Sequence, residues 1–203
     1  MTQKPRIAVI VGSTRDTRFA DKPAAWIFDL ARQRPDWEVE LLDLRDFHLP
    51  FFNERSSNLW APTQDPNAVA WQKKLATFDG FIFVTPEYNR SIPASLKNAL
   101  DQAYREWIHK PAAVLGYGST GGARAVEHLR TIAIELQMVP VRSGVHIMGA
   151  DLMKVHPMGG VGAPISEIED HILPSAKAML DDLAWWTRAT MSARAADAER
   201  AAA

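Results

Sequence analysis

The sequence predicts an α/β fold in which a parallel sheet is covered by helices on both faces, and two features of its hydrophobic pattern carry that prediction. Short, β-branched apolar runs recur along the 203 residues, and longer stretches with helical spacing separate them. Continuous apolar runs bounded by turn residues mark strands buried on both faces, and parallel neighbours need crossover connections, which are right-handed. Strand and helix alternate five times, so a single layered domain follows.

The elements can be taken in order. Strand 1 is Ile7 to Val11, and the loop GSTRDTR, residues 12 to 18, leads into a helix with Pro23 in or near its first turn and Ala24, Ile27, Phe28 and Ala31 on one face. Strand 2 is Val39 to Leu44. The connection after it, residues 45 to 66, is far longer than the usual handful; such loops tend to be lids, binding loops or contact surfaces, and its aromatics Phe47, Phe51, Phe52 and Trp60 favour packing over a free linker. A helix with Ala68, Trp71, Leu75 and Phe78 inward precedes strand 3, Phe81 to Val84.

The stretch VTPEYNRSIP, residues 84 to 93, then turns into a helix on which Leu96, Ala99, Leu100, Ala103 and Trp107 share a face. Strand 4, Ala112 to Leu115, runs into GYGSTGG, residues 116 to 122, and a helix with Ala125, Leu129, Ile132, Ala133 and Leu136 inward. Strand 5 is Val141 to Ile147. Residues 141 to 164 are rich in Met and Gly and read equally as a mobile flap or a plain connection. Ser175 to Arg188, with Met179, Leu180 and Leu183 inward, closes a domain spanning residues 1 to 191; the alanine-rich segment 192 to 203 has no apolar face and is expected to be a flexible, weakly helical tail.

Composition narrows the function. Lys and Arg number 23 against 24 Asp and Glu, a net charge of −1, which leaves no basic footprint for nucleic acid or an anionic membrane. No Cys is present, so thiolate chemistry, Fe–S clusters and Cys-based zinc sites are excluded, and redox chemistry requires a bound cofactor. No apolar window approaches a spanning helix and no signal segment precedes strand 1, so a cytoplasmic protein is expected. The six histidines show no i, i+3 or i, i+4 pairing, and no metal site is expected. Asn89-Arg90-Ser91 matches a glycosylation acceptor only by chance in such a chain.

Open α/β sheets bind ligands at the carboxyl ends of their strands, where the strand order reverses, so the loops after strands 1, 3 and 4 matter most. In the first, Gly12 permits a sharp turn, Ser13 and Thr14 offer hydroxyls, and Arg15 and Arg18 offer charge beside a helix N-terminus. That is a cradle for one phosphate, or else a capped turn with solvated arginines; the spacing of a nucleoside triphosphate loop is missing. In the third loop, Gly116, Gly118 and Gly121 match G-x-G-x-x-G, but a dinucleotide fingerprint follows the first strand and needs an acidic residue ending the next one, and Glu135 lies in a helical pattern. The glycines read instead as a thin wall for a flat ligand, with Ser119 and Thr120 as donors. In the second, Pro86 ends the strand, Glu87, Tyr88 and Asn89 mix donors and acceptors, and Pro93 restarts the helix. A planar ring joined to one phosphate fits all three, and FMN has that shape.

At these residues the chain resembles the NADPH-dependent FMN reductase family, through GSTR at Gly12 to Arg15, PEYNRSIPASLKNALD at Pro86 to Asp101 and GYGSTGGARAVEHLR at Gly116 to Arg130. The resemblance, over roughly residues 5 to 187, implies a flavodoxin-like three-layer sandwich whose five-stranded parallel sheet runs in the order 2-1-3-4-5. It implies that Ser13, Arg15 and Arg18 bind the FMN phosphate, that Pro86, Glu87, Tyr88, Asn89 and Ser91 border the ribityl chain and ring, and that Gly118, Ser119, Thr120 and Gly121 lie at the pyrimidine edge. This chain departs from the family at Asp16 to Arg18, where many relatives are rich in Ser and Asn.

The activity implied is ping-pong: NADPH or NADH gives hydride to the flavin and leaves, and a quinone, azo compound or free flavin takes the electrons. No side chain is expected as acid, base or nucleophile. The resemblance also implies a homodimer or higher homo-oligomer, with residues 45 to 66 and Trp185-Trp186 as candidate contacts. The alternative is a flavodoxin-like electron carrier with no nicotinamide reaction of its own.

Overall fold

The computed structural model describes residues 4–159 and 162–202; residues 1–3, positions 160 and 161 of the Met- and Gly-rich connection, and residue 203 of the tail lie outside the described residues. Five parallel strands, β1 (Arg6–Val11), β2 (Glu38–Asp43), β3 (Gly80–Pro86), β4 (Pro111–Tyr117) and β5 (Val139–Ile147), form one sheet in the order β2-β1-β3-β4-β5. The order is the flavodoxin-like one. Ile10 of β1 sits beside Leu42 of β2 on one side and Phe83 of β3 on the other, so the reversal falls beside β1.

Side chains alternate across each strand, and this divides the core. Ile7, Val9, Val11, Ile82, Val84 and Leu115 face α1 (Asp21–Ala31) and α6 (Glu169–Ala202). Ala8, Ile10, Phe81, Phe83 and Val114 face α2 (Pro66–Ala76), α3 (Ala94–Asp101) and α4 (Ala123–Glu135). The inner strands β3 and β4 are buried at every residue, as their uninterrupted apolar runs require. The edge strands are not: Glu38, Leu41 and Arg142 are exposed, because an edge has a neighbour on one side only.

The helical stripes lie inward as expected, but the helix after strand 3 is shorter than its stripe. The helix there ends at Asp101, and Ala103 and Trp107 pack into the core from beyond it. Two tryptophans finish that helix. Trp71 Nε1 donates to Ala99 O at 2.8 Å, and Trp107 Nε1 donates at 3.2 Å to Leu100 O, which also accepts from Ala103 N–H.

Three segments gain definition in the structure. Residues 45 to 66 are irregular yet pinned to α3: Asn98 Oδ1 accepts from Phe52 N–H at 2.9 Å, and Pro50 O accepts from both Asn98 Nδ2 and Gln102 Nε2. Within that segment Phe47 packs edge-on against Trp71, while Phe51 and Trp60 are exposed. After β5 the Met- and Gly-rich connection forms a short helix, α5 (Gly149–Val155). The segment from Ser192 continues α6 as helix to Ala202, and Arg194 joins it to the sheet by donating to His109 O and Asp79 Oδ1, each at 2.8 Å.

Candidate functional site

Because β1, β3 and β4 are parallel neighbours, the loops leaving their carboxyl ends stand side by side. At Gly12 the chain passes so close to β3 that its N–H meets Val84 O at 2.9 Å, and a Cβ there would lie 3.0 Å from that same oxygen. The next residues divide their work. Ser13 is fully buried with its hydroxyl 3.3 Å from the Tyr88 phenol, whereas Thr14 and Arg15 are exposed. The hydrogen-bonding phenol of Tyr88 raises Arg15 above its ordinary pKa.

Arg18 does not join the cradle. Its five N–H donors meet Asp21 Oδ1 through Nε and Nη2, Asp43 through Nη1 at 2.8 Å and Nη2 at 2.5 Å, and Ser13 O through Nη1 at 2.7 Å, leaving no donor for a ligand. Burial would lower its pKa, but the hydrogen bonds to Asp43 and Asp21 outweigh that and hold it above the ordinary value. Asp43 is the mirror case: burial would raise it, and hydrogen bonds from Arg18 and Arg45 hold it below the usual carboxylate range. The expectation of Arg18 as a phosphate ligand is therefore corrected: it ties the first loop to the end of β2.

The loop after β3 is a two-residue hairpin. Tyr88 and Ser91 exchange both backbone hydrogen bonds, at 2.9 and 3.0 Å, and the central residues Asn89 and Arg90 have φ of 49° and 72°, the positive values a type I′ turn requires. The side chains on either side of it brace the site. Ser91 Oγ lies 2.6 Å from His128 Nδ1 on α4, so this hydroxyl is engaged away from the other loops. Glu87, its side chain 7% exposed, pairs with the Arg124 guanidinium and accepts from Arg124 N–H at 3.1 Å. Burial would raise its carboxyl, and the Arg124 hydrogen bonds reverse this and hold it below the ordinary value.

The glycine loop after β4 is mostly built for itself. A Cβ on Gly116 would stand 2.8 Å from Gly121 O, one on Gly122 would stand 2.9 Å from Tyr117 N, and Gly121, at φ 67°, abuts His146. Gly118 differs. Its φ is 153°, and a Cβ there would project to 3.5 Å from the Glu87 Cβ, across the gap between the second and third loops. Of these glycines, Gly118 is the one that lines the gap toward the second loop. Ser119 and Thr120 are exposed, and among the described residues their amides donate to no backbone carbonyl. His146, half-buried, lies with Nδ1 2.8 Å from Gly121 O and steadies the loop from β5.

Two cavities meet at Arg15 and Tyr88. One, of about 510 Å³, is lined by Ser13, Thr14, Arg15, Arg45, His48 and Ser95 among others, with the N-terminus of α3 at its side. The second, of about 120 Å³, is a slot bounded by Pro86, Glu87, Gly118, Tyr117, Phe19 and His156. Burial pushes the Tyr117 phenol above its ordinary pKa and the His156 imidazole below it. Both are therefore neutral near pH 7. Arg45, Tyr117 and His156 escaped the sequence reading. Arg45 was findable, since it leaves the carboxyl end of the strand beside β1; nothing in the local sequence brings His156 to the slot.

Among the described residues no group of three or more His, Asp or Glu side chains is placed to hold a metal, and no helix is long and apolar enough to cross a membrane.

Comparison with known proteins agrees with this geometry. Residues 5–152, which include all three loops, match the model of the NADPH-dependent FMN reductase family. The chain is 38% identical over 137 residues, 66% of its own length and 68% of the other's, to an NAD(P)H-dependent FMN reductase of Schizosaccharomyces pombe. It is 32% identical over 190 residues to a 2-hydroxy-1,4-benzoquinone reductase of a Burkholderia species, covering 90% of this chain and 96% of that one. Among solved structures it superposes with a TM-score of 0.65 on FerB, a flavoenzyme NAD(P)H:(acceptor) oxidoreductase from Paracoccus denitrificans, at 27% identity over 88% of this chain and 97% of that one. The chain belongs to the NADPH-dependent FMN reductase family.

Proposed function

We propose that this enzyme, an NAD(P)H-dependent oxidoreductase that uses FMN, holds the flavin phosphate at Ser13, Thr14 and Arg15 and its ring between the loops after β3 and β4, and reduces small quinones in a ping-pong order. The observation that carries this is the junction of two unlike cavities at Arg15 and Tyr88: one with Arg15 and hydroxyls set in an otherwise largely apolar lining, the other a slot bounded by backbone at Gly118. A phosphate joined to a flat ring has that same division. When bound, FMN supplies reversible hydride acceptance, and the protein supplies position and electrostatics.

The roles of the residues follow from their freedom. Arg15 and the Thr14 hydroxyl are open to an anion, the buried Ser13 hydroxyl reaches one only by turning from Tyr88, and Arg18, with every donor used, keeps the loop in shape. The Glu87–Arg124 pair fixes the distance between the walls of the slot, and the Ser119 and Thr120 amides are preorganised donors for negative charge on a reduced ring. Pro86, Glu87, Tyr88 and Asn89 border the ring, and Gly118 and Gly121 its far side. Quinones are favoured as acceptors because the Burkholderia and Paracoccus relatives are a quinone reductase and an acceptor oxidoreductase. Exposed Phe51, Trp60, Trp185 and Trp186 support a homodimer, and residues 4–191 support one FMN-binding domain to which the last turns of α6 are an extension.

Arg15→Ala tests the phosphate assignment. Loaded with FMN and desalted, the wild type retains yellow protein; the variant binds FMN about 10- to 100-fold more weakly in a fluorescence titration, the loss expected for one charge-assisted contact of about 1.5–3 kcal/mol. Equal affinity in the two proteins sinks the assignment.

A further inference from the structure

Arg90, on the site's rim, is used by neither the fold nor the flavin assignment. It occupies the second central position of the hairpin, at φ 72°, where a side chain is strained and glycine is at home. The turn cannot relax around it, because Tyr88 and Ser91 hold both backbone hydrogen bonds and Ser91 is further tied to His128. Its guanidinium is exposed and, among the described residues, makes no hydrogen bond or ion pair. Arg124 and His128 stand one turn apart on α4, facing the same hairpin through Glu87 and Ser91. A strained cation with no partner among the described residues, on a hairpin held from α4 by Arg124 and His128, is available to an anion that arrives from outside.

We propose that Arg90 binds a phosphate of the nicotinamide dinucleotide, and so helps to set which hydride donor the enzyme takes. This rests on the reductase reading above. The FMN phosphate is assigned to Arg15 in the first loop, at the other side of Tyr88, and simple quinones carry no anion. The donor carries a pyrophosphate in both forms and a 2′-phosphate in NADPH alone. Arginine suits either group because its planar fork of donors matches phosphate oxygens in pairs.

The test is anaerobic stopped-flow reduction of FMN-loaded wild type, Arg90→Gly and Arg90→Lys, with NADPH and NADH as the probes and the apparent Kd of each nucleotide as the readout. Arg90→Gly relieves the positive φ, so its thermal midpoint is equal to or above that of the wild type, and a loss of binding cannot be put down to misfolding. The expected result is an apparent Kd raised on the order of tenfold in Arg90→Gly and restored in part by Arg90→Lys, with FMN retention unchanged. A rise confined to NADPH assigns the contact to the 2′-phosphate, and an equal rise for both nucleotides assigns it to the pyrophosphate. An apparent Kd unchanged for both overturns the proposal while leaving the reductase intact. A wild type whose flavin neither nucleotide reduces overturns the reductase reading and the proposal with it.

Discussion

Arg15 and Arg18 lie three residues apart in one loop, equal in charge, and the structure gives one to the ligand cavity and the other to the fold. What separates them is Asp43, 25 positions away in sequence from Arg18 and brought alongside only because β2 pairs with β1. Local sequence carries no trace of that contact, so the phosphate loop was legible as a loop but not donor by donor. The same holds for Ser91, whose hydroxyl is claimed by His128, and for His146 under the glycine loop. Lys110 provides a residue-scale test. It is 7% exposed, its ammonium donates to Leu75 O at 3.3 Å, and burial, aided by Arg194, pushes its pKa down to about 8 against the pull of Asp79 and Glu106. The folded chain therefore releases this proton more readily than the unfolded one, so the cost is full below about pH 8 and fades as pH rises toward the ordinary lysine value. Lys110→Met is expected to be about 1–3 kcal/mol more stable than wild type at pH 7 in urea unfolding, with the difference shrinking toward pH 10. A difference that does not change with pH contradicts the assignment.

Among the elements, the inner strands and the inward faces of the helices were the most legible, because burial on both sides leaves an unbroken apolar run and a helix with one wet face keeps a 3.6-residue period. Legibility fell where tertiary contacts take over from local pattern. Trp107 keeps the helical period of α3 although the helix stops at Asp101, and residues 192–202 stay helical, held to the sheet by Arg194 rather than by an apolar face. The loop from Gly116 to Gly122 is legible by its glycines, but their crowding is not: Cβ atoms at Gly116, Gly121 and Gly122 would meet the loop's own backbone or His146, whereas Gly118 borders the slot. Gly121→Ala separates these roles. Its φ of 67° and a new Cβ only 2.9 Å from the His146 Cβ predict a loss of about 1–3 kcal/mol in thermal or urea unfolding, together with weaker FMN retention as the loop shifts. Unchanged stability with full flavin retention would show that the loop is not under this constraint.

At the scale of the molecule, a strand order of β2-β1-β3-β4-β5 converts three stretches far apart in sequence into one cleft. Each stretch alone is a weak signal; their convergence on Arg15 and Tyr88, with hydroxyls and a cation on one side and a flat-walled slot on the other, is what the sequence could suggest and only the fold could assemble. The cleft brings Tyr117 and His156 to its edge, where burial holds the phenol above and the imidazole below their ordinary pKa values. On the proposed function, electrons from the nicotinamide donor pass through FMN held in this cleft and on to a quinone. The direct measurement is anaerobic mixing of the FMN-loaded, desalted protein with one equivalent of NADPH, followed by a benzoquinone after the spent nucleotide is removed. The yellow absorbance is expected to bleach on the first addition and to return on the second. Flavin that stays yellow in the presence of both NADPH and NADH would contradict it and would leave a protein that carries electrons without taking them from a nicotinamide.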